Sequence, residues 1–584
     1  MFKKTLFALA LVAGLAMAFA EPYVWDTAGT LAEPEAAAPG GSATLAVLSG
    51  ARTWNPIMSR EVDDARDLTL AYVSLVTRDT VTRQWKPWAA ESIDVSADGL
   101  TITATLRPEL QWSDGEPMTA SDFLLTYTLT QDPEVESPNA DLFFVGDQVV
   151  EISAPDESTL VFEFPSVTRR AFSIVGFLYP TPDHVLGEIY RSGGAEAFKG
   201  AWGTDTPLDE LVFDGPFMLE EYSPDERYRL VRNPAFGAWN VDSNGTPLPY
   251  LDSINYTIAE QDAQLNLFLA AELDVYAPGN LDDVAVVAQA VNNGEVDAVL
   301  RPNLYAPTST TFYGFNWNLA SDPFKQELFR NVNFRRAMSH LTPRDSIVDL
   351  VYGGAAAPAY VGVGSPFVQW FPPEDQQVRY EFDPERALEL LANIGFTETN
   401  EDGWLVDADG NVLEFNLTTN AGNQNREQEI QIIADTMREY GVKVETAALD
   451  FGLLVDQLLS TGDDRPFEAI LIGLTAGSED WPFSESVYTC TGSLHLWNQS
   501  GACIVPTETL ISELALAGNQ TLDDAEAQEI AFQLQAEYAR LQGLVYTSAR
   551  LLHAAWASDI GGEYADDVIS ALAGTRSLVT TFAK

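Results

Sequence analysis

Two hydrophobic periods interleave along the second half of this chain, and that interleaving limits the fold more than any other feature. Helical spacing runs through Pro323 to Met338, Pro384 to Ala392, Arg426 to Tyr440 and Ala525 to Gln542. Between them lie strand-like runs at Val412 to Thr418, Val442 to Thr446 and Ala469 to Leu474. The first half mixes the same ingredients. Thr44 to Leu48 is a short strand, Thr101 to Leu106 alternates apolar and polar residues after an Asp98-Gly99 turn, and Leu160 to Phe164 is a strand closed by Pro165. Ala120 to Thr130 reads as a helix capped near Thr119 or Ser121. Strands alternating with helices predict α/β architecture. No short-period repeat accompanies them, which excludes solenoids and propellers. At 584 residues the chain has room for anything from two large lobes to about four domains.

The N-terminus predicts export. Lys3 and Lys4 form a basic start, Thr5 to Met17 an apolar stretch, and Ala18-Phe19-Ala20 a small-x-small cleavage site, so residues 1–20 read as a signal peptide. The apolar stretch is shorter than the roughly 18 to 20 residues that span a bilayer, and no cysteine stands at the cleavage point to carry a lipid. Residues 21–41, rich in Ala, Pro and Glu, are expected to be a disordered leader, with folding starting at Ser42. The mature protein is expected to be soluble and periplasmic or secreted.

The charge balance narrows the partners. Against 32 Lys+Arg stand 86 Asp+Glu, a net charge of −54. Nucleic acid and anionic membranes repel such a surface. So large an excess also repels itself inside a compact fold, which suits a saline habitat, although an acidic surface equally serves solubility. The two cysteines, Cys490 and Cys503, are expected to form a disulfide closing the loop Thr491 to Ala502, since an exported chain meets an oxidising compartment.

Several motif-like stretches have structural readings. Ser113-Asp-Gly-Glu-Pro117 is an ordinary chain reversal, and Asp407-Ala-Asp-Gly410 and Glu398 to Gly403 are hairpin turns that miss the ligand positions of a calcium loop. His184, His340 and His553 stand without paired ligands, and no metal or cofactor is expected. A secreted hydrolase is the competing class. The chain has no G-x-S-x-G elbow, no H-E-x-x-H zinc motif, no G-x-x-x-x-G-K-[ST] phosphate loop and four histidines in all.

Five blocks carry a family resemblance. The longest runs from Trp88-Ala-Ala-Glu-Ser-Ile-Asp-Val-Ser-Ala-Asp-Gly-Leu-Thr101 through Leu106-Arg-Pro108 to Trp112-Ser-Asp-Gly-Glu-Pro-Met-Thr-Ala-Ser-Asp122. The others are Trp54-Asn-Pro56; Asp214-Gly-Pro-Phe-Met-Leu-Glu-Glu-Tyr222 with Val231-Arg-Asn-Pro234; Asn331-Val-Asn-Phe-Arg-Arg-Ala-Met338; and Asp383-Pro-Glu-Arg-Ala-Leu-Glu-Leu-Leu391. Together they resemble the family five extracellular solute-binding proteins, the oligopeptide, dipeptide, nickel and oligosaccharide receptors of ABC importers. The resemblance implies two α/β lobes joined by two crossover strands, with an extra subdomain inserted in the first. On this chain the first lobe is expected at 42–311 with the inserted subdomain, the second at 312–544, and a return to the first at 545–584. The crossovers would fall near Tyr313 to Asn318 and Tyr546 to Ala549. The implied partner is an ABC permease, the solute an extended small molecule, the protein a monomer and not an enzyme. A sensor that signals through a separate receptor by the same closure is a third reading.

The resemblance also places the expected solute contacts: Trp54, Asn55, Asn316 and Trp317 on the first-lobe loop and first crossover, and Thr475, Glu479, Asp480, Trp481, His495 and Trp497 on the second lobe. Indoles offer flat apolar faces and the polar neighbours directional hydrogen bonds, although a large protein also buries most of its aromatics in its core. Peptide receptors of the family carry an aspartate where Gly477 stands here. Glu479 or Asp480 is a substitute from a neighbouring position, while the block Gly492-Ser-Leu-His-Leu-Trp-Asn498 is similar to the oligosaccharide branch. Peptide is the first expectation and oligosaccharide the alternative. Trp481 and Trp497 are expected to contact the solute.

Overall fold

A computed structural model describes residues 23–25, 37–59, 70–78, 84–146, 148–237, 239–305, 309–363, 367, 369–475, 479–562 and 581–584. The signal segment, most of the leader and Gly477 lie outside them. Within the leader, Tyr23–Trp25 forms a strand paired in parallel with Asn240–Asp242, so this piece departs from the expected disorder. No helix among the described residues is long and apolar enough to cross a membrane.

The chain divides into two compact units. The first comprises Met1–Ala277, Val287–Arg301 and Ala554–Lys584; the second Pro278–Val286 and Pro302–His553. These bounds differ from the expected 311/312 and 544/545, and the reason is a sheet. The strands Ser309–Phe315 and Leu544–Arg550, which contain residues of the crossovers expected near Tyr313 to Asn318 and Tyr546 to Ala549, are paired to each other inside the second unit's six-stranded sheet. The chain changes unit instead within the strands Ala298–Tyr305 and Leu552–Ala557.

Two four-stranded sheets lie in the first unit. One is antiparallel, in the order Ala90–Val95, Thr101–Leu106, Thr159–Glu163, Glu151–Asp156. Ile102, Ala104 and Leu106 alternate into its core, as the period-two pattern requires. Gly99 supplies the left-handed turn residue before it, at φ +73°. The other sheet runs Phe217–Ser223, Arg227–Arg232, Ser253–Ile258, Ser42–Val47, and its last pair is parallel. The helix Ala120–Gln131 starts where the Thr119 amide donates to Asp122 at 2.8 Å.

In the second unit the sheet order is Ala356–Pro358, Leu544–Arg550, Ser309–Phe315, Ala469–Thr475, Glu414–Asn420, Lys443–Leu449. The last three strands are mutually parallel, and Ser309–Phe315 runs against both Ala469–Thr475 and Leu544–Arg550. The carboxyl ends of four strands therefore share one edge. Helices begin on side-chain caps: Asp322, Asp383, Asn423 and Asp450 each accept a backbone amide three residues on. The helix expected from Pro323 to Met338 is two, Pro323–Arg330 and Val332–His340. Asn331 ends one in extended conformation and caps the next by accepting from the Asn333 amide at 2.9 Å.

Candidate functional site

The expected contact residues separate into two groups, and most belong to the cores. In the first unit Trp54 is 3% exposed, edge-on to Tyr222 with ring centroids 5.3 Å apart. Asn55 is buried and folds its own loop, donating to Phe198 O at 3.1 Å and accepting from the Ile57 amide at 3.1 Å. In the second unit Asn316 donates to the carbonyls of Arg465 and Phe467 and accepts from the Asn318 amide. Trp317 lies under the Arg335 guanidinium, 4.2 Å from its ring centre. Arg335 in turn donates to Phe329 O, Leu541 O and Gln542 O, tying the strand end to the close of the helix Asp524–Leu541. Burial pulls that guanidinium down to about 9.

Trp481 and Trp497, expected to face the solute, are fully buried instead. Trp481 donates to Ala515 O at 3.1 Å and packs edge-on against Trp370 and Phe483. Gly518 makes room for it: a Cβ there would stand 2.1 Å from the indole. Trp497 fits against Gly543 in the same way and touches His495 and Tyr538. Each indole thus lies where a neighbouring glycine leaves a slot, which is packing rather than display.

A buried carboxylate organises the disulfide-closed loop. Cys490 and Cys503 are bonded to each other. Glu508 accepts from His495 at 3.0 Å, Trp497 at 2.9 Å and Asn498 at 3.1 Å, all carried by that loop, and from the amides of Ile504 and Val505. Burial alone would raise its carboxyl, but His495, Asn498 and the Ile504 amide outweigh it and hold it below the ordinary value. Cys490, His495 and Glu508 fall within metal-ligating reach of one another. The sulfur is held in the disulfide, and His495 and Glu508 are bonded together, so the cluster is a staple and not a cation site.

The remaining expected residues sit at the carboxyl edge of the second unit's sheet. Thr475 ends its strand exposed, and Glu479 and Asp480 follow half-buried. Glu479 anchors by its carbonyl, which accepts from the Trp370 indole at 2.9 Å. Next along the edge Asn420 accepts from Arg426 at 2.8 Å. Behind them lies Glu429, buried on the helix Gln424–Glu439. It accepts from Tyr352 at 2.5 Å, Thr547 at 2.7 Å and Ser548 at 3.0 Å. Burial pushes its carboxyl up, and the three hydroxyls pull it back in part. Burial likewise draws the Arg426 guanidinium down to about 10. The result is a hydrogen-bonded polar layer behind this edge.

Asn420, Arg426, Glu429, Tyr352, Thr547 and Ser548 were not among the expected residues. One signal was present. Positions 425, 429, 433 and 437 form the buried stripe of their helix, and a glutamate on an otherwise mostly apolar stripe marks a charge that must have partners.

Comparison with known proteins agrees with this architecture. Residues 84–494 match the family described as bacterial extracellular solute-binding proteins, family 5. A probable ABC transporter-binding protein of Deinococcus radiodurans is 37% identical over 597 residues, covering 100% of both chains. The oligopeptide-binding protein AppA of Bacillus subtilis, solved with a nonapeptide, superposes with a TM-score of 0.78 at 19% identity, over 94% of this chain and 100% of that one. The binding protein MelB of Agrobacterium fabrum, solved with stachyose, gives 0.80 at 20% identity, over 96% and 87%. The chain belongs to the family 5 extracellular solute-binding proteins, with their two-lobed fold. It is a solute-binding protein of an ABC importer.

Proposed function

We propose that this protein is the exported capture component of its importer, free and monomeric after loss of its signal segment. It takes up an extended oligopeptide and presents it to the permease. The solute binds at the carboxyl edge of the second unit's sheet, and closure of the two units encloses it, the solute stabilising the closed state by its differential affinity. The observation that carries this reading is the edge itself. Solutes of open α/β sheets bind outside the carboxyl ends of the strands, and here that edge offers Thr475, the Asn420 and Arg426 pair, and two half-buried carboxylates. Glu479 and Asp480 serve as counter-charges for a peptide's α-ammonium in place of the aspartate absent at Gly477. Oligosaccharide is the second reading, supported by the MelB likeness and the Gly492 to Asn498 block.

Native mass spectrometry of the purified protein should reveal a co-purified peptide mass. In titration calorimetry, Glu479→Gln with Asp480→Asn should weaken a nonapeptide tenfold or more and leave stachyose untouched. A glycan mass, or a double variant that binds peptide like the parent, would overturn the peptide assignment.

A further inference from the structure

Two arginines of the second unit stand at the carboxyl edge of its sheet with no acid paired to either. Arg426 is in the first turn of the helix Gln424–Glu439, and Arg550 ends the strand Leu544–Arg550. Their placement follows from Glu429, which accepts from Ser548 at 3.0 Å and so fixes this helix against this strand. Arg426 lies one helical turn before Glu429 and shares its face, about 4.5 Å nearer the helix start. Arg550 lies two residues beyond Ser548 and projects from the same face of its strand, about 6.6 Å nearer the carboxyl edge. The helix follows the strand Glu414–Asn420 and runs back from that edge, so both steps point the same way. The two guanidinium groups converge there.

Neither charge is neutralised by the protein. Arg426 is half-buried and its guanidinium makes one hydrogen bond, to Asn420 Oδ1 at 2.8 Å, so Nε and Nη2 have no acceptor among the described residues. Arg550 is exposed and forms no ion pair among the described residues. The carboxylate behind them, Glu429, gives its oxygens to Tyr352, Thr547 and Ser548. Burial, and after it the charge of Arg550, draws the Arg426 guanidinium down to about 10, which leaves it charged at neutral pH. A chain with 86 acids and 32 Lys+Arg has counter-charges in excess, and elsewhere it uses them, as Arg191 does with Asp183. Like charges brought together repel, the more so where burial limits screening. An anion between them removes that repulsion, and guanidinium donors match the two oxygens of a carboxylate.

We propose that Arg426 and Arg550 form a site for a small anion, filled by a carboxylate of the solute or by a free halide. The solute source rests on the oligopeptide reading above and completes its charge pattern: Glu479 and Asp480 take the ammonium, the arginines the carboxylate. The free-ion source needs no solute.

Two measurements separate these sources. Crystals of the full chain soaked in sodium bromide, read by anomalous scattering, report the free ion. Titration calorimetry with a nonapeptide lacking acidic side chains, as the free acid and as its C-terminal amide, reports the solute. Bromide in contact with both guanidinium groups, or a free acid that binds about tenfold tighter than the amide, supports the site when Arg550→Gln abolishes that result. The melting temperature of solute-free Arg550→Gln should not fall, since an exposed, repelling charge is removed. Bromide retained in Arg550→Gln is an adventitious ion only and overturns the halide source; a preference for the acid retained in Arg550→Gln overturns the solute source. No bromide at the pair together with equal affinity for acid and amide overturns the site altogether. If the parent binds the peptide in neither form, the oligopeptide reading fails while the bromide soak still decides the arginine pair.

Discussion

Trp481 and Trp497 show how a residue's type leaves its role open until its neighbours are known. An indole is equally good as a solute platform and as core filling, and the glycines that decide between them, Gly518 and Gly543, lie 37 and 46 residues downstream. The expected outcome follows the packing. Trp481→Ala and Trp497→Ala should each lose about 3 to 5 kcal/mol of stability in denaturant unfolding. A variant that keeps its stability but loses solute affinity would return that tryptophan to the binding site. Asp214 poses the opposite case, a charge type placed where charge is costly. It is 2% exposed, its Oδ2 accepts the Val73 amide at 3.3 Å, and its Oδ1 has no partner among the described residues. Burial, and after it the charge of Asp122, pushes its carboxyl well above the ordinary value. The folded state therefore holds its proton after the unfolded chain has released it. Stability falls as pH rises from about 3.9 towards the raised folded value, then levels off. Asp214→Asn should thus stabilise the protein at pH 8, by about 1 to 3 kcal/mol, and make little difference at pH 3. Thermal melts at the two pH values check this; equal shifts at both would show that the carboxyl is not the cause.

At the scale of elements, the disulfide loop and the helix Pro506–Gln520 act together. The bond shortens the unfolded chain's freedom across residues 491–502, and its loop delivers His495, Trp497 and Asn498 to Glu508 near the start of that helix. Replacing both cysteines by serine should cost about 2 to 4 kcal/mol. Because the loop's other task is to satisfy Glu508, that loss and the loss from Glu508→Gln should not add in a double-mutant cycle. Strict additivity in denaturant titrations would show the two features to be independent. The depressed Glu508 carboxyl gives the pH sign: its contribution is present above about pH 4.3 and disappears as pH falls through the lower folded value.

For the whole molecule the controlling quantity is charge. Several exposed cations are drawn into pairs with the acids, as Arg191 is with Asp183 and Glu188 and Lys199 with Glu136 and Glu196. Such exposed pairs contribute little, whereas a net charge of −54 repels itself over distances that salt shortens to about 8 Å at physiological strength. Raising sodium chloride from 10 mM to 1 M should therefore raise the melting temperature, most steeply over the first few hundred millimolar. A flat or falling curve would show that the paired acids outweigh the net repulsion.

The amino-acid order by itself determined the local periods and their punctuation. Thr101–Leu106 and Pro384–Ala392 appear where the sequence marks them, because each is set by alternation, a proline and a cap within a few residues. The five blocks in sequence determined the family, since a shared pattern over several hundred residues is a property of the order alone. Where one unit ends and the next begins was not legible. Tyr313 and Tyr546 lie on strands that look like any connecting strand until their pairing partners are known. The site divided in the same way. Thr475, Glu479 and Asp480 were candidates through the family resemblance. Glu429 became a candidate only when the fold brought Tyr352, Thr547 and Ser548 from 77, 118 and 119 residues away onto one carboxylate. Burial and long-range hydrogen bonds depend on which surfaces meet, and tertiary structure alone decides that.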